Sequence, residues 1–235
     1  MTAPLLEVQT VTKSFGGFTA LDGVSIAVAK GERFGLIGPN GSGKTTLINC
    51  ISGALEHDAG SIRFDGREIS GLPAYRRTRC GIARSFQIPR PFASMTVLEN
   101  LLVPLRYVSH GRPDEAHEIL RQIGLAEKAA TRSNQLSQVE LRKLELARAM
   151  AARPQLLISD EAMAGLSANE IGEVLEILFK LNAAGITIIM IEHVMQAVMK
   201  FSQRVICLDA GRIICEGTPE SIVQNPDVQR AYLGA

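Results

Sequence analysis

Two stretches of this 235-residue chain carry residue types whose spacing can do chemistry together. The first is Gly38-Pro39-Asn40-Gly41-Ser42-Gly43-Lys44-Thr45, followed by Thr46, which fits G-x-x-x-x-G-K-[ST]. Glycines at this spacing let successive backbone N–H groups turn inward around a phosphate, and a helix starting at the lysine adds its positive end. Lys44 can then reach the β- and γ-phosphates, and the Thr45 hydroxyl can ligate Mg²⁺. The second stretch is Leu156-Leu157-Ile158-Ser159-Asp160-Glu161, an apolar run closed by two acids. In such a pairing Asp160 would hold Mg²⁺ through the metal's hydration shell, and Glu161 would polarise an attacking water as general base. The two stretches together point to a nucleoside triphosphate and its hydrolysis.

Strands must deliver both stretches. Arg33 to Ile37 predicts a short strand ahead of the glycine loop, and Thr45 to Ile51 a helix behind it. Leu156 to Ser159 reads as a buried strand. It is followed by a helix over Glu170 to Leu181, a Gly185 cap and a strand over Ile186 to Ile191. At the N-terminus, Leu6, Val8, Val11 and then Leu21, Val24, Ile26, Val28 alternate loosely. They predict two antiparallel strands turning at Gly16-Gly17, with another strand from Ser61 to Phe64. Arg204 to Leu208 and Arg212 to Cys215 read as a hairpin. Between about Ile88 and Ala152 only helical periodicity appears, over Val97 to Val103, Asp114 to Ile123 and Ser137 to Ala151. The expected architecture is one α/β domain over residues 1–235. It has a P-loop core with a mostly parallel sheet, an N-terminal antiparallel β lobe and an inserted helical lobe at about 88–152.

Composition removes other classes. A hydrophobic share of 46% supplies a sizeable core, and a formal charge of +1 carries no basic excess for a nucleic-acid partner. Cys50, Cys80, Cys207 and Cys215 form no C-x-x-C pair, so they read as buried thiols in a reducing compartment rather than metal ligands or disulfides. The start lacks the pattern of a signal peptide, and the apolar runs are strand-sized, so a membrane role has to come through partners.

With these residues in place, the sequence resembles the ABC transporter ATP-binding cassettes over essentially its whole length. Gly38 to Thr45 and Asp160-Glu161 match that family's two Walker motifs, which implies ATP and Mg²⁺ as ligands. The resemblance implies further roles. Gln87 would touch Mg²⁺ and the attacking water, and report nucleotide state to a membrane domain. His193, after Ile191-Glu192, would contact the γ-phosphate. Phe15 would stack on adenine, with Phe18 the second candidate and a core aromatic the competing reading. Arg84-Ser85-Phe86-Gln87, Arg90, Phe92, Met95-Thr96-Val97, Glu99-Asn100-Leu101-Leu102 and the tail Ala231-Tyr232-Leu233-Gly234 are similar to the larger cassette of branched-chain amino acid importers. Related amide, urea or organic-acid importers share most of them. The implied partners are a second cassette, transmembrane permease subunits and, indirectly, a solute-binding protein. The implied place is the cytoplasmic face of the plasma (inner) membrane. A homodimeric cassette of a lipid or lipopolysaccharide exporter, or a regulatory P-loop subunit with little hydrolysis, stays open as an alternative.

One departure stands out. The family carries L-S-G-G-Q at the start of a lobe helix, where its serine and glycine amides bind the γ-phosphate held by the opposite subunit. Here the aligned residues are Leu136-Ser137-Gln138-Val139-Glu140. Ser137 remains a candidate for nucleotide contact. Val139 is expected to crowd the phosphate's approach, and Ser137-x-x-Glu140 reads as a capping box that closes the helix end internally. The expectation is a heterodimer. ATP on this chain would meet a partner's intact signature, while ATP on the partner would turn over poorly. A further departure is Ala162-Met163, where the family usually has proline at the first position.

Overall fold

The structure, a computed structural model, describes residues 3–86 and 88–233. In chain order its strands are β1 (Leu6–Phe15), β2 (Phe18–Val28), β3 (Arg33–Ile37), β4 (Ala59–Phe64), β5 (Arg67–Glu68), β6 (Ile82–Ser85), β7 (Leu156–Asp160), β8 (Thr187–Ile191), β9 (Arg204–Asp209) and β10 (Arg212–Gly217). They form two sheets. An antiparallel sheet runs in the order β2-β1-β4-β5, and a second sheet runs β10-β9-β3-β8-β7-β6. In the second, β9 through β6 are mutually parallel and β10 turns back antiparallel on β9. β7 and β8 are buried at every residue, as central parallel strands covered on both faces must be. This is the expected P-loop α/β architecture.

The faces of the parallel sheet belong to different cores. Leu36, Ile158, Ile189 and Ile191 pack with the antiparallel sheet and with α1 (Lys44–Ser52). Ile37, Leu157, Ile188 and Met190 pack with helices on the other side. Alternation along each strand sends neighbouring residues to opposite faces. α2 (Ala74–Arg79) follows Pro73 at its N-cap. The segment beyond Phe86 supplies α3 (Val97–Pro104), α4 (Asp114–Gln122) and α5 (Gln138–Ala151), with a π-helical turn over Leu105–Ser109. α6 (Ala168–Ala183), α7 (Met195–Phe201), α8 (Pro219–Gln224) and α9 (Pro226–Leu233) complete the chain.

Arg77 on α2 is 1% exposed and is the structural centre of this corner. Its guanidinium donates to the carbonyls of Ser70 (2.6 Å), Leu72 (2.8 Å), Cys50 (2.6 Å) and Ile51 (2.9 Å). The last two are carbonyls at the C-terminal end of α1, where a cation also complements the helix dipole. Burial alone pulls the guanidinium's pKa down. Burial likewise pushes the thiols of Cys50 and Cys207 up, to about 11 and about 12. All four cysteines are free, but Cys80 and Cys215 are only half-buried, so the expectation of four buried thiols holds for two. Among the described residues no helix is long and apolar enough to cross a membrane.

Candidate functional site

The glycine loop leaves β3 and enters α1. Gly38 has φ +150° and Gly43 φ +106°. A Cβ on Gly38 would lie 2.1 Å from the Leu208 carbonyl oxygen, and one on Gly43 2.5 Å from that of Ala20. Side chains are therefore excluded at both by strain and by space. α1 has no side-chain cap and no acidic residue in its first turn, so its leading N–H groups and positive end are left for an anion. Lys44 is 6% exposed and donates to the carbonyls of Gly38 (2.7 Å) and Pro39 (2.9 Å). Burial lowers its pKa, opposed by the nearby Glu161, Cys207 and Asp160.

Residues 40–46 line a cavity of about 230 Å³ with Glu161 and His193 at one side and Phe15 and Phe18 at the other. Phe15 is 50% and Phe18 59% exposed, so neither is a core aromatic. Lys13 sits 5.6 Å from the Phe15 ring centroid. Gly38 and Pro39 stand behind the cavity and hold Lys44 through their carbonyls.

β7 and β8 bring the acids and the histidine together. The parallel register pairs Asp160 with Ile191, so Glu161 and His193 emerge from adjacent strand ends. Glu161 has φ +47°, a costly conformation for a side-chain-bearing residue. Its N–H donates to the Ile191 carbonyl at 2.8 Å. His193 Nε2 lies 2.9 Å from Glu161 Oε1. A carboxylate oxygen accepts, so this contact places the donor proton on Nε2. Asp160 is buried and accepts from Arg84 twice on Oδ2, from Nη2 at 2.6 Å and Nε at 3.2 Å. Arg84 is fixed in turn by Asn49 Oδ1 (2.7 Å) and by the Phe86 ring, 5.1 Å away. The donor chemistry fits Mg²⁺. The ion keeps waters and takes phosphate oxygens, and the Thr45 hydroxyl and the Asp160 carboxylate are oxygen donors of the kind it accepts. Among the described residues no group of three or more His, Cys, Asp or Glu could hold a metal by itself.

Gln87 lies outside the described residues. Ser137 is the N-cap of α5 and does not line the cavity. The capping box is present, with Glu140 Oε2 accepting from Ser137 N at 2.9 Å and Ser137 Oγ accepting from Glu140 N at 3.4 Å. Lys128 pairs with Glu140 at 2.5 Å and is the first cause of that carboxyl's lowered pKa, ahead of the Ser137 contacts. Val139 is half-buried and packs in part against the helical core. The group at the helix end is the Glu140 carboxylate. Gln138 Nε2 donates to the Ala164 carbonyl (3.3 Å), as does Arg142 Nη2 (3.3 Å), which ties α5 to the loop after Glu161.

Sequence reading also missed Glu192. It is 1% exposed and accepts from Met163 N at 2.9 Å. Burial raises its pKa to about 7, with the Met163 bond acting the other way and Glu161 adding to the rise. Its folded pKa lies above its ordinary 4.5, so between pH 4.5 and 7 the folded chain holds a proton that the unfolded chain has lost. Stability conferred by the protonated form is therefore present below pH 4.5 and is lost as pH rises through 7. Glu192→Gln keeps the Met163 acceptor and removes the titration. Urea unfolding should show the variant gaining on the unaltered chain across this window, by about 3 kcal/mol at pH 8. Parallel stability curves for the two proteins would show that Glu192 is not the titrating group.

Comparison with known proteins agrees with this geometry. The family model described as ABC transporter matches residues 21–164. A model described as branched-chain amino acid ATP-binding cassette transporter matches residues 212–235. The chain is 38% identical to the high-affinity branched-chain amino acid transport ATP-binding protein BraF of Pseudomonas aeruginosa, covering 100% of this chain and 99% of that protein. It is 39% identical to the corresponding protein LivG of Escherichia coli, with the same coverage. Among solved structures, the ADP conformation of MJ1267, an ATP-binding cassette of an ABC transporter, superposes with a TM-score of 0.91 at 33% identity over 100% of both chains. The dimeric post-hydrolysis state of the cassette MJ0796, bound to ADP and Pi, superposes at 0.81 and 27% identity, over 91% of this chain and 98% of that one. The chain belongs to the ABC transporter family, as one of its ATP-binding cassettes, the ATPase subunits that power transport.

Proposed function

We propose that this cassette energises the uptake of branched-chain amino acids or similar small polar or organic-acid solutes. In this reading it works as one half of a cassette pair docked on permease subunits at the cytoplasmic face of the membrane, with a solute-binding protein as an indirect partner. The whole of residues 1–235 acts as a single ATP-binding domain, with the helices of 88–152 as its lobe. The observation that carries the reading is the meeting of the open α1 N-terminus, Lys44, Glu161 and His193 around one cavity, in a chain that aligns end to end with branched-chain amino acid relatives.

Each site residue has a role in this reading. Residues 38–46 cradle the phosphates, and Lys44 exchanges its carbonyl partners for phosphate oxygens. Thr45, Asp160 and Gln87 would hold Mg²⁺, which when bound would neutralise charge on the phosphate oxygens. Glu161 accepts the proton of the attacking water. His193 orients Glu161 and faces the terminal phosphate, and Phe15 stacks on the base. The groove of about 360 Å³ between Phe86, Phe92 and Tyr107 receives a short permease helix. Its apolar floor is exposed, and it adjoins Arg84, which holds Asp160.

Ser137 acts across the pair, on ATP held by the other cassette, and Glu140 weakens that half-site. A carboxylate at a helix N-terminus occupies the position that favours an incoming phosphate. Purified alone, the chain should therefore hydrolyse ATP slowly. Mixed with an intact-signature cassette from the same transporter it should be fast, and Glu140→Gln should raise the lone-chain rate about tenfold. Rates that are equal alone, mixed and with Glu140→Gln would sink the asymmetric arrangement and favour a homodimer.

A further inference from the structure

The C-terminal helix touches the nucleotide cradle through one atom. Gly38 N–H donates to the Tyr232 hydroxyl at 2.8 Å. This is a long-range contact, made from α9 to the first glycine of the loop. The chain segment is seated for it. Asn225 caps α9 by accepting from Asp227 N (2.8 Å) and Val228 N (3.3 Å), and donates to Cys215 Sγ on β10. Val228 is 4% exposed and belongs to the same core cluster as Ile222, Ile37 and Cys207. Tyr232 follows Val228 by four residues and so shares its helix face. The packing of Val228 thus carries the tyrosine to the end of β3.

What Tyr232 holds is a tightly constrained peptide of the loop. The Gly38 carbonyl accepts from Lys44, and the Leu208 backbone lies where a Cβ of Gly38 would be. With its N–H on Tyr232, this residue is fixed at its donor, at its acceptor and at its Cα. Lys44 must let go of the Gly38 carbonyl to meet a phosphate. At that moment the tyrosine bond and the Leu208 wall are what keep the loop's entrance in register.

We propose that Tyr232 is a positioning residue of the phosphate cradle, and that the seating of the C-terminal helix sets nucleotide affinity through its hydroxyl. The proposal rests on the reading of this loop as the nucleotide site and extends it to residues outside the Walker motifs. Tyr232→Phe keeps the ring and deletes only the hydrogen bond. One neutral bond is worth a factor of about three to ten in binding. Titrating the full chain with a fluorescent ADP analogue and Mg²⁺ should give a Kd raised by about that factor. KM for ATP should rise in parallel, and kcat at saturating ATP should change less than about twofold. Amide exchange provides a reading that general loosening would not mimic. The Gly38 N–H should exchange faster in Tyr232→Phe while the amides of β8 keep their protection. Unchanged Kd and unchanged Gly38 exchange would overturn the proposal, as would a loss confined to kcat. If the unaltered chain failed to bind the analogue at all, the nucleotide reading itself would fall.

Discussion

Glu161→Gln should lower kcat for ATP hydrolysis by about two to three orders of magnitude while leaving nucleotide affinity within a few-fold of the unaltered cassette. The size comes from the ordinary worth of a positioned general base. The selectivity comes from the geometry. Glutamine has the same volume, keeps an oxygen that can accept from His193 Nε2, and carries the same backbone strain at φ +47°. Cradle, sheet and histidine stay in place, and what is removed is the ability to take a proton together with the negative charge felt by Lys44 and Glu192. Steady-state hydrolysis by the cassette pair, with Kd from nucleotide titration, separates the two effects. A kcat within tenfold of the unaltered protein would remove Glu161 from the role of base and leave it as a support for His193.

Arg77→Met is expected to have the largest effect on stability. Methionine matches the length of the stem but donates nothing, so four carbonyls are left without their shared donor, those of Cys50 and Ile51 in a fully buried setting. Each buried acceptor left unsatisfied costs about 1–3 kcal/mol, and with the guanidinium's own burial cost relieved the net loss is expected at about 3–5 kcal/mol. For a chain of this size that corresponds to a fall in Tm of about 10 °C. Arg77→Lys should recover only part of it, because an ammonium on a flexible stem cannot reach four acceptors arranged around a planar fork. Thermal and urea unfolding decide the point, and a shift under about 2 °C would mean that the corner relaxes around the loss. Two of the carbonyls belong to α1, so the variant should also weaken nucleotide binding at temperatures where it is still folded.

The pattern of what was readable in the sequence follows from the range of the forces involved. The cradle, the acid pair and the β1–β2 turn are local. Their residue types have few other uses at those spacings, and the strands around them alternate or run apolar as their burial requires. The capping box at Ser137 was legible for the same reason. α2 was not, because Ala74–Arg79 offers no apolar face. It folds there to carry Arg77 to acceptors up to 27 residues away. β6 was hidden by its four-residue length and by Arg84, which looks like a solvent residue until β7 places Asp160 beside it, 76 residues on. Glu192 and Tyr232 belong to the same class, since nothing in their neighbours announces the Met163 and Gly38 amides they meet.

The partition of the molecule into two cores has a consequence for how such a chain can change over time. The cradle, Asp160, Glu161 and His193 hang from loops and ends of one sheet, whose register fixes them relative to one another. The altered signature sits on α5, bedded in the helical side of the structure. In the proposed pair, change at the start of α5 can therefore alter what the chain offers to a companion while the register of β7 and β8 still sets its own acid and histidine, the two being linked through the Gln138 and Arg142 bonds to Ala164. If the pair works as proposed, donor and receiver functions can diverge in part independently, and duplicated cassettes can specialise by letting each half decay where the other remains whole.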